Sequence, residues 1–143
     1  MQDLELAKKQ LYNHQRTLVI VKGGHVLFQT DSHKISGFIK AIEKHGTELN
    51  DSAVADRVAG KALALLCVYA GIREVYAEVL SKKAQSVFKE NKIGVQCKQL
   101  VDNVLDLNKD DVCPFEKLAA IIVTPKDSYG AFRALLEEMK SCK

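Results

Sequence analysis

Asn50 to Gly71, NDSAVADRVAGKALALLCVYAG, is the stretch on which the reading of the fold turns. Its second half, Ala62 to Ala70, is an unbroken run of nine apolar residues. A helix with no polar face is enclosed on every side, so this run belongs in the core. The whole stretch reads as one long helix. Asp51 and Ser52 are N-cap residue types, alanine, leucine, arginine and lysine fill the body, and Gly71 stands where a left-handed C-cap wants glycine. In that helix Arg57 and Lys61 share a face, as do Asp56 and Gly60. Gly60 costs about 1 kcal/mol against alanine in a helix interior, which either a ligand approaching the backbone or tight packing on a strand would explain.

Outward from this stretch the periodicities alternate. Residues 3–14 carry Leu4, Leu6, Ala7, Leu11 and Tyr12 on one helical face. Thr17–Lys22 and His25–Thr30 are strands joined at Gly23-Gly24, a two-residue hairpin signal. Ile35 to His45 is an amphipathic helix closed by Gly46. Beyond the central stretch, Ile72 to Leu80 reads as a strand, Ser81 to Asn91 as a helix and Ile93 to Lys98 as a half-buried strand. Val101 to Leu107 is expected to hold a short fifth strand. Pro114 and Pro125 each suit the first position of a helix, and the last helix is expected from Pro125 to Met139. Thr124 with Asp127 resembles a capping box, with Asp in the usual Glu place. These units predict a single α/β domain over residues 1–143, a three-layer α/β/α arrangement with a mixed sheet of four to five strands. The Ile72 and Ile93 strands should be parallel through a right-handed crossover.

Composition narrows the partners. Apolar residues make up 47% of the 143 residues and charged residues 27%, as in a soluble globular domain. A net charge of +3, dispersed along the chain, argues against nucleic acid. No apolar run reaches membrane-spanning length and no signal peptide is evident, so no membrane association and a cytoplasmic location are expected. The four cysteines, Cys67, Cys97, Cys113 and Cys142, show no metal-ligand spacing; Cys67 and Cys97 read as small core residues. The four histidines show neither HxxxH nor HxE spacing and read as solvated surface. No metal and no cofactor are implied.

The polar residues of the central stretch mark the place for a site. Free N–H groups and the helix dipole at a helix start favour anions. Ser52, Arg57, Gly60 and Lys61 are therefore expected to hold a small anionic or nucleotide-like ligand, unless Asp56 and the two cations simply complete an internal ion pair. Ser81 begins a helix directly after a strand end, where open α/β sheets place ligands; as an N-cap it also needs no further role. Cys113 precedes Pro114 at a helix start, where local N–H groups would stabilise its thiolate and Glu116 would oppose it by like charge. Glu116 completes the expected ligand-binding set. Cys113 with Asp56 forms the expected catalytic pair, if there is a reaction.

The order hairpin, helix, strand, helix, strand resembles the cytidine-deaminase-like fold. VADRVAGKA (Val54 to Ala62) resembles the deaminase signature in which a zinc ligand is followed by Ala-Glu at a helix start, and EVYAEVLSKKAQSVF (Glu74 to Phe88) resembles the strand leading into the Pro-Cys-x-x-Cys helix. In that correspondence Asp56 takes the place of the catalytic glutamate, Val54 that of the first zinc ligand, and Ser81 and Ala84 those of the two cysteines. Valine and alanine cannot ligate zinc, so the resemblance implies a fold without zinc-dependent deamination. VIVKGGHVLF, ADRVAGKA, EVYAEVLS and Cys113-Pro114-Phe115-Glu116 are similar to a prokaryotic domain-of-unknown-function family, DUF1893, with the same fold. That family implies a fold and no activity. Two classes of function follow: a zinc-free, deaminase-like domain that binds a small anionic ligand, or a non-catalytic interaction module that self-associates as a homo-oligomer.

Overall fold

In a computed structural model the central stretch is two elements, not one. Residues 2–31, 35–102, 114–122 and 124–141 are described. Ala53–Ala59 is a strand (β3) and Lys61–Ala70 a helix (α3), with Gly60 extended between them at φ −103 and ψ −174. The continuous helix fails for a physical reason. A strand covered on both faces needs apolar residues on both, so it loses the alternation that identifies an exposed strand. Ala53, Val54 and Ala55 are all fully buried in this way. Ser52 caps nothing; its Oγ donates to the Leu49 carbonyl at 2.6 Å and closes the preceding 3-10 turn, Gly46–Leu49. The far end is as the sequence suggests. Gly71 adopts φ +74 and its N–H returns to the carbonyls of Cys67 and Val68.

The remaining elements are α1 (Gln2–Asn13), β1 (Leu18–Lys22), β2 (His25–Thr30), α2 (Ser36–His45), β4 (Glu74–Ser81), α4 (Lys82–Glu90), β5 (Gly94–Val101), α5 (Pro114–Ile121) and α6 (Ser128–Ser141). Pro125–Asp127 forms a 3-10 turn ahead of α6, so the last helix begins three residues later than Pro125. Thr124 Oγ1 donates to Asp127 Oδ2 at 2.8 Å, a side-chain pair in place of a capping box. Val101 ends β5 and Asp102 is a bend; residues 103–107 of the expected fifth strand lie outside the described residues, as does Cys113.

The five strands form one mixed sheet in the order β2-β1-β3-β4-β5. β1 is antiparallel to β2 and β3, while β3, β4 and β5 are parallel. The Gly23-Gly24 turn closes the hairpin at φ +58 and +80, and Asp3 clamps it by accepting both turn N–H groups at 2.9 Å. The sheet separates two cores. On one face α1 buries Leu4, Ala7 and Leu11 against Val19, Val21, Ala55 and Tyr76. On the other lie α2, α3 and α4, with Phe115, Ala119 and Phe132 of α5 and α6. α3 is the centre of that layer, with Ala62 through Cys67 buried. This is the three-layer α/β/α architecture. Cys67 is a core residue, but Cys97 is exposed on β5, which lies at the sheet edge with little covering either face among the described residues.

Candidate functional site

β3 and β4 run in parallel and end together, so the helices that follow them, α3 and α4, start side by side at the carboxyl edge of the sheet. Ser81 caps α4: its Oγ accepts from Ala84 N–H at 3.0 Å. Gly60 has no side chain to cap α3, and the missing acceptor comes from another helix. Glu116 of α5 places Oε1 3.0 Å from Ala62 N, and the Lys61 N–H also favours its charge. Burial raises the Glu116 pKa, against the pull of those two N–H groups and of the Lys83 and Lys61 ammonium groups. A half-buried carboxylate thus sits where an anion would sit on the α3 dipole.

Asp56 lies four residues earlier on β3. It shares the helix-facing side with Val54, between Leu18 of β1 and Ala77 of β4. The residue is half-buried. Burial pushes its pKa up to about 7, with the N–H groups of Val58 and Arg57 and the Arg57 charge pulling the other way. Val58 N donates to Oδ1 at 3.2 Å. Cys67 of α3 is fully buried, and burial first and then the Asp56 charge hold its thiol well above the ordinary value.

The structure divides the expected set. Lys61, Gly60, Ser81 and Glu116 gather at the carboxyl edge. Ser52 is at the opposite end of β3, roughly 25 Å away at about 3.3 Å per residue. Arg57 is on the other face of the sheet, a consequence of the strand alternation that replaced the helix. Its Nε donates to Arg16 O and its Nη2 to Leu11 O, both at 2.9 Å, while Nη1 pairs with Glu78 at 3.1 Å. Its guanidinium lies 4.8 Å from the Tyr12 ring centre, so it fastens the end of α1 to the sheet. The correspondence that set Asp56 and Val54 at a helix start also fails, because both are in β3. A helix-start signature falls instead on Gly60, Lys61 and Ala62.

Those residues do not fit a catalytic zinc. Such a site needs three His, Cys or carboxylate ligands; the α3 and α4 starts offer glycine, lysine, alanine and serine, and Glu116 is engaged by backbone N–H groups. Among the described residues no three His, Cys, Asp or Glu side chains group to hold a metal. Glu116 as the partner of α3 was not legible as such. The nearest signal was an uncapped glycine ahead of a wholly buried helix.

This edge and sheet define an α/β domain whose helix starts converge on one polar cluster. The chain belongs to the DUF1893 family, a domain of unknown function, whose family model matches residues 6–136. A crystal structure of a DUF1893 family protein from Thermotoga maritima has a TM-score of 0.79 at 23% identity, over 96% of this chain and 90% of that one, and shares the fold. A more distant, deaminase-like similarity is also seen. The dCMP deaminase of cyanophage S-TIM5 in apo form has a TM-score of 0.47 at 12% identity, over 70% and 94%. The diaminohydroxyphosphoribosylaminopyrimidine deaminase/5-amino-6-(5-phosphoribosylamino)uracil reductase of Thermotoga maritima has a TM-score of 0.45 at 20% identity, over 81% and 38%. Curated protein sequences give no match. No helix among the described residues is long and apolar enough to cross a membrane.

Proposed function

We propose that this domain binds a small anion of phosphate or carboxylate type, as a nucleotide-like ligand would present, at the N-terminal end of α3, without zinc-dependent deamination. The observation that carries the reading is the Glu116 carboxylate on the Lys61 and Ala62 N–H groups, between two lysines and raised in pKa by its own burial. The donors are aimed at an anion, and the anion there is a side chain whose charged form its own burial disfavours, so an added anion competes with it for the same N–H groups. Lys61 and Lys83 supply the charge for a ligand in its place, and Gly60 keeps the approach free of a side chain.

Glu116→Ala tests this. The apo variant should lose about 1 kcal/mol, as helices do when a cap is removed. Inorganic phosphate should then raise its Tm well beyond the rise seen in wild type, with sodium chloride at equal ionic strength as the control. Equal shifts in phosphate and chloride would refute the reading.

The second reading, a self-associating interaction module, is favoured by β5. Its residues are exposed along most of their length, with Leu100 41% exposed on an edge strand. Sedimentation equilibrium showing a concentration-dependent dimer, lost on Leu100→Lys, would support it.

A further inference from the structure

The two outer strands of the sheet differ in how they guard their edges. β2 is six residues long, and its register with β1 shifts between Ile20 and Val21, a bulge that twists the edge away from partners. β5 is eight residues long and keeps one register with β4 from Gly94 to Val101, without a shift. It contains no proline and a single charged residue, Lys98. An edge of that length and regularity is a template for another strand.

The bonds to β4 decide which backbone groups are left on the outer side. Gly94 N–H donates to the Arg73 carbonyl at 3.2 Å, so Gly94 and every second residue after it turn inward to β4. Val95, Cys97 and Gln99 therefore turn their N–H and C=O groups outward, where among the described residues no strand lies beside them. All three are uncharged, and Cys97, an exposed free thiol, is the middle one.

A two-fold axis normal to the sheet would keep the faces of both copies aligned, so one residue must oppose its own equivalent. Centred on Cys97, that axis sets Val95 opposite Gln99 of the second copy, and the outward groups of all three residues find partners. It sets Gln96 opposite Lys98. It also brings Lys92, just before the strand, level with Asp102, just past its end, so that unlike charges meet at both ends. Asp102 Oδ1 already pairs with Lys82 at 2.8 Å, and a carboxylate can accept from a second cation as well. Centred on Lys98, the axis opposes two lysines; centred on Val95, it sets Lys92 level with Lys98. Of the axes from Val95 to Gln99, the Cys97 one alone opposes lysine to aspartate among the described residues.

We propose that β5 pairs with β5 of a second copy, antiparallel and centred on Cys97, to make one continuous sheet of ten strands. This rests on the self-association reading above and adds where the copies join and in what register.

The test is amide exchange of the wild-type chain by 15N NMR at low and high protein concentration, with sedimentation equilibrium reporting the dimer. As the dimer forms, exchange at Val95, Cys97 and Gln99 should slow, while Gly94, Gln96 and Lys98, already bonded to β4, change far less. Cys97→Pro keeps the bonds to β4, because that N–H points outward, and should weaken the dimer about tenfold or more. Asp102→Lys should weaken it too, and Lys92→Asp added to the same chain should restore it. A dimer that forms with Val95, Cys97 and Gln99 exchanging as before, or that Asp102→Lys leaves as tight, would overturn this interface and leave self-association standing. A chain that stays monomeric at millimolar concentration would sink both.

Discussion

Asp56 also makes the stability of the domain depend on pH, with a sign that follows from its burial. Its pKa is about 7 in the folded chain and near 3.8 when unfolded, so between those values the unfolded state gives up the proton and the folded state keeps it. Stability contributed by this residue is full below about pH 4, falls as pH rises through 7, and is flat beyond. At 1.36 kcal/mol per unit, the loss is on the order of 2–4 kcal/mol for a group with some access to water. Asp56→Asn removes the charge and nearly preserves the shape. Urea unfolding should show the variant more stable than wild type at pH 8, and the difference should shrink toward pH 5. A variant weaker than wild type at pH 8 would contradict the burial of the charge.

Among the elements, α3 and α1 are fixed by different means. α3 is held by apolar contact. Leu66 has no exposed surface, so Leu66→Ala should cost roughly 2–5 kcal/mol in denaturant unfolding, through lost transfer energy and a residual cavity. A loss under about 1 kcal/mol would place the helix outside the core. α1 covers the other face of the sheet, and its C-terminal end is tied down through Arg57. Arg57→Met leaves the Leu11 and Arg16 carbonyls and Glu78 without their donor, and should cost about 2–4 kcal/mol. Amide exchange should rise first in the last turn of α1; a uniform rise across the chain would contradict the tie.

The element scale is also where the sequence was most and least legible. The glycine hairpin, the amphipathic α2 and the buried run of α3 announce themselves through turn chemistry and period. β3 does not, because its two covered faces leave an apolar string that a helix explains as well. A helix through this stretch would set Arg57 beside Lys61 and Ser52 at its start; the strand sets Arg57 against α1 and Ser52 at the far end. Gly60 is better explained as the extended link between strand and helix than as a gap in a helix. Glu116 could not be paired with Ala62 from one chain, since 54 positions separate them and only the packing of α5 on α3 joins them. Cys97 alternates properly with its neighbours in β5, but an edge strand leaves its inward residues exposed as well.

For the whole molecule, the parallel strands β3 and β4 bring two helix starts to one edge, and among the described residues little covers β5 at the side. The first feature supports a ligand, the second a partner, and both can be true of one domain. The central claim is that the start of α3 is an anion seat which Glu116 fills, and Lys61 and Ala62 report on it directly. The measurement is a 15N NMR titration of wild type and Glu116→Ala with inorganic phosphate at constant ionic strength. The expected result is a saturable shift largest at the Lys61 and Ala62 amides, with affinity several-fold tighter in the variant. Unsaturable shifts scattered over surface lysines, with Lys61 and Ala62 unmoved in both proteins, would contradict it.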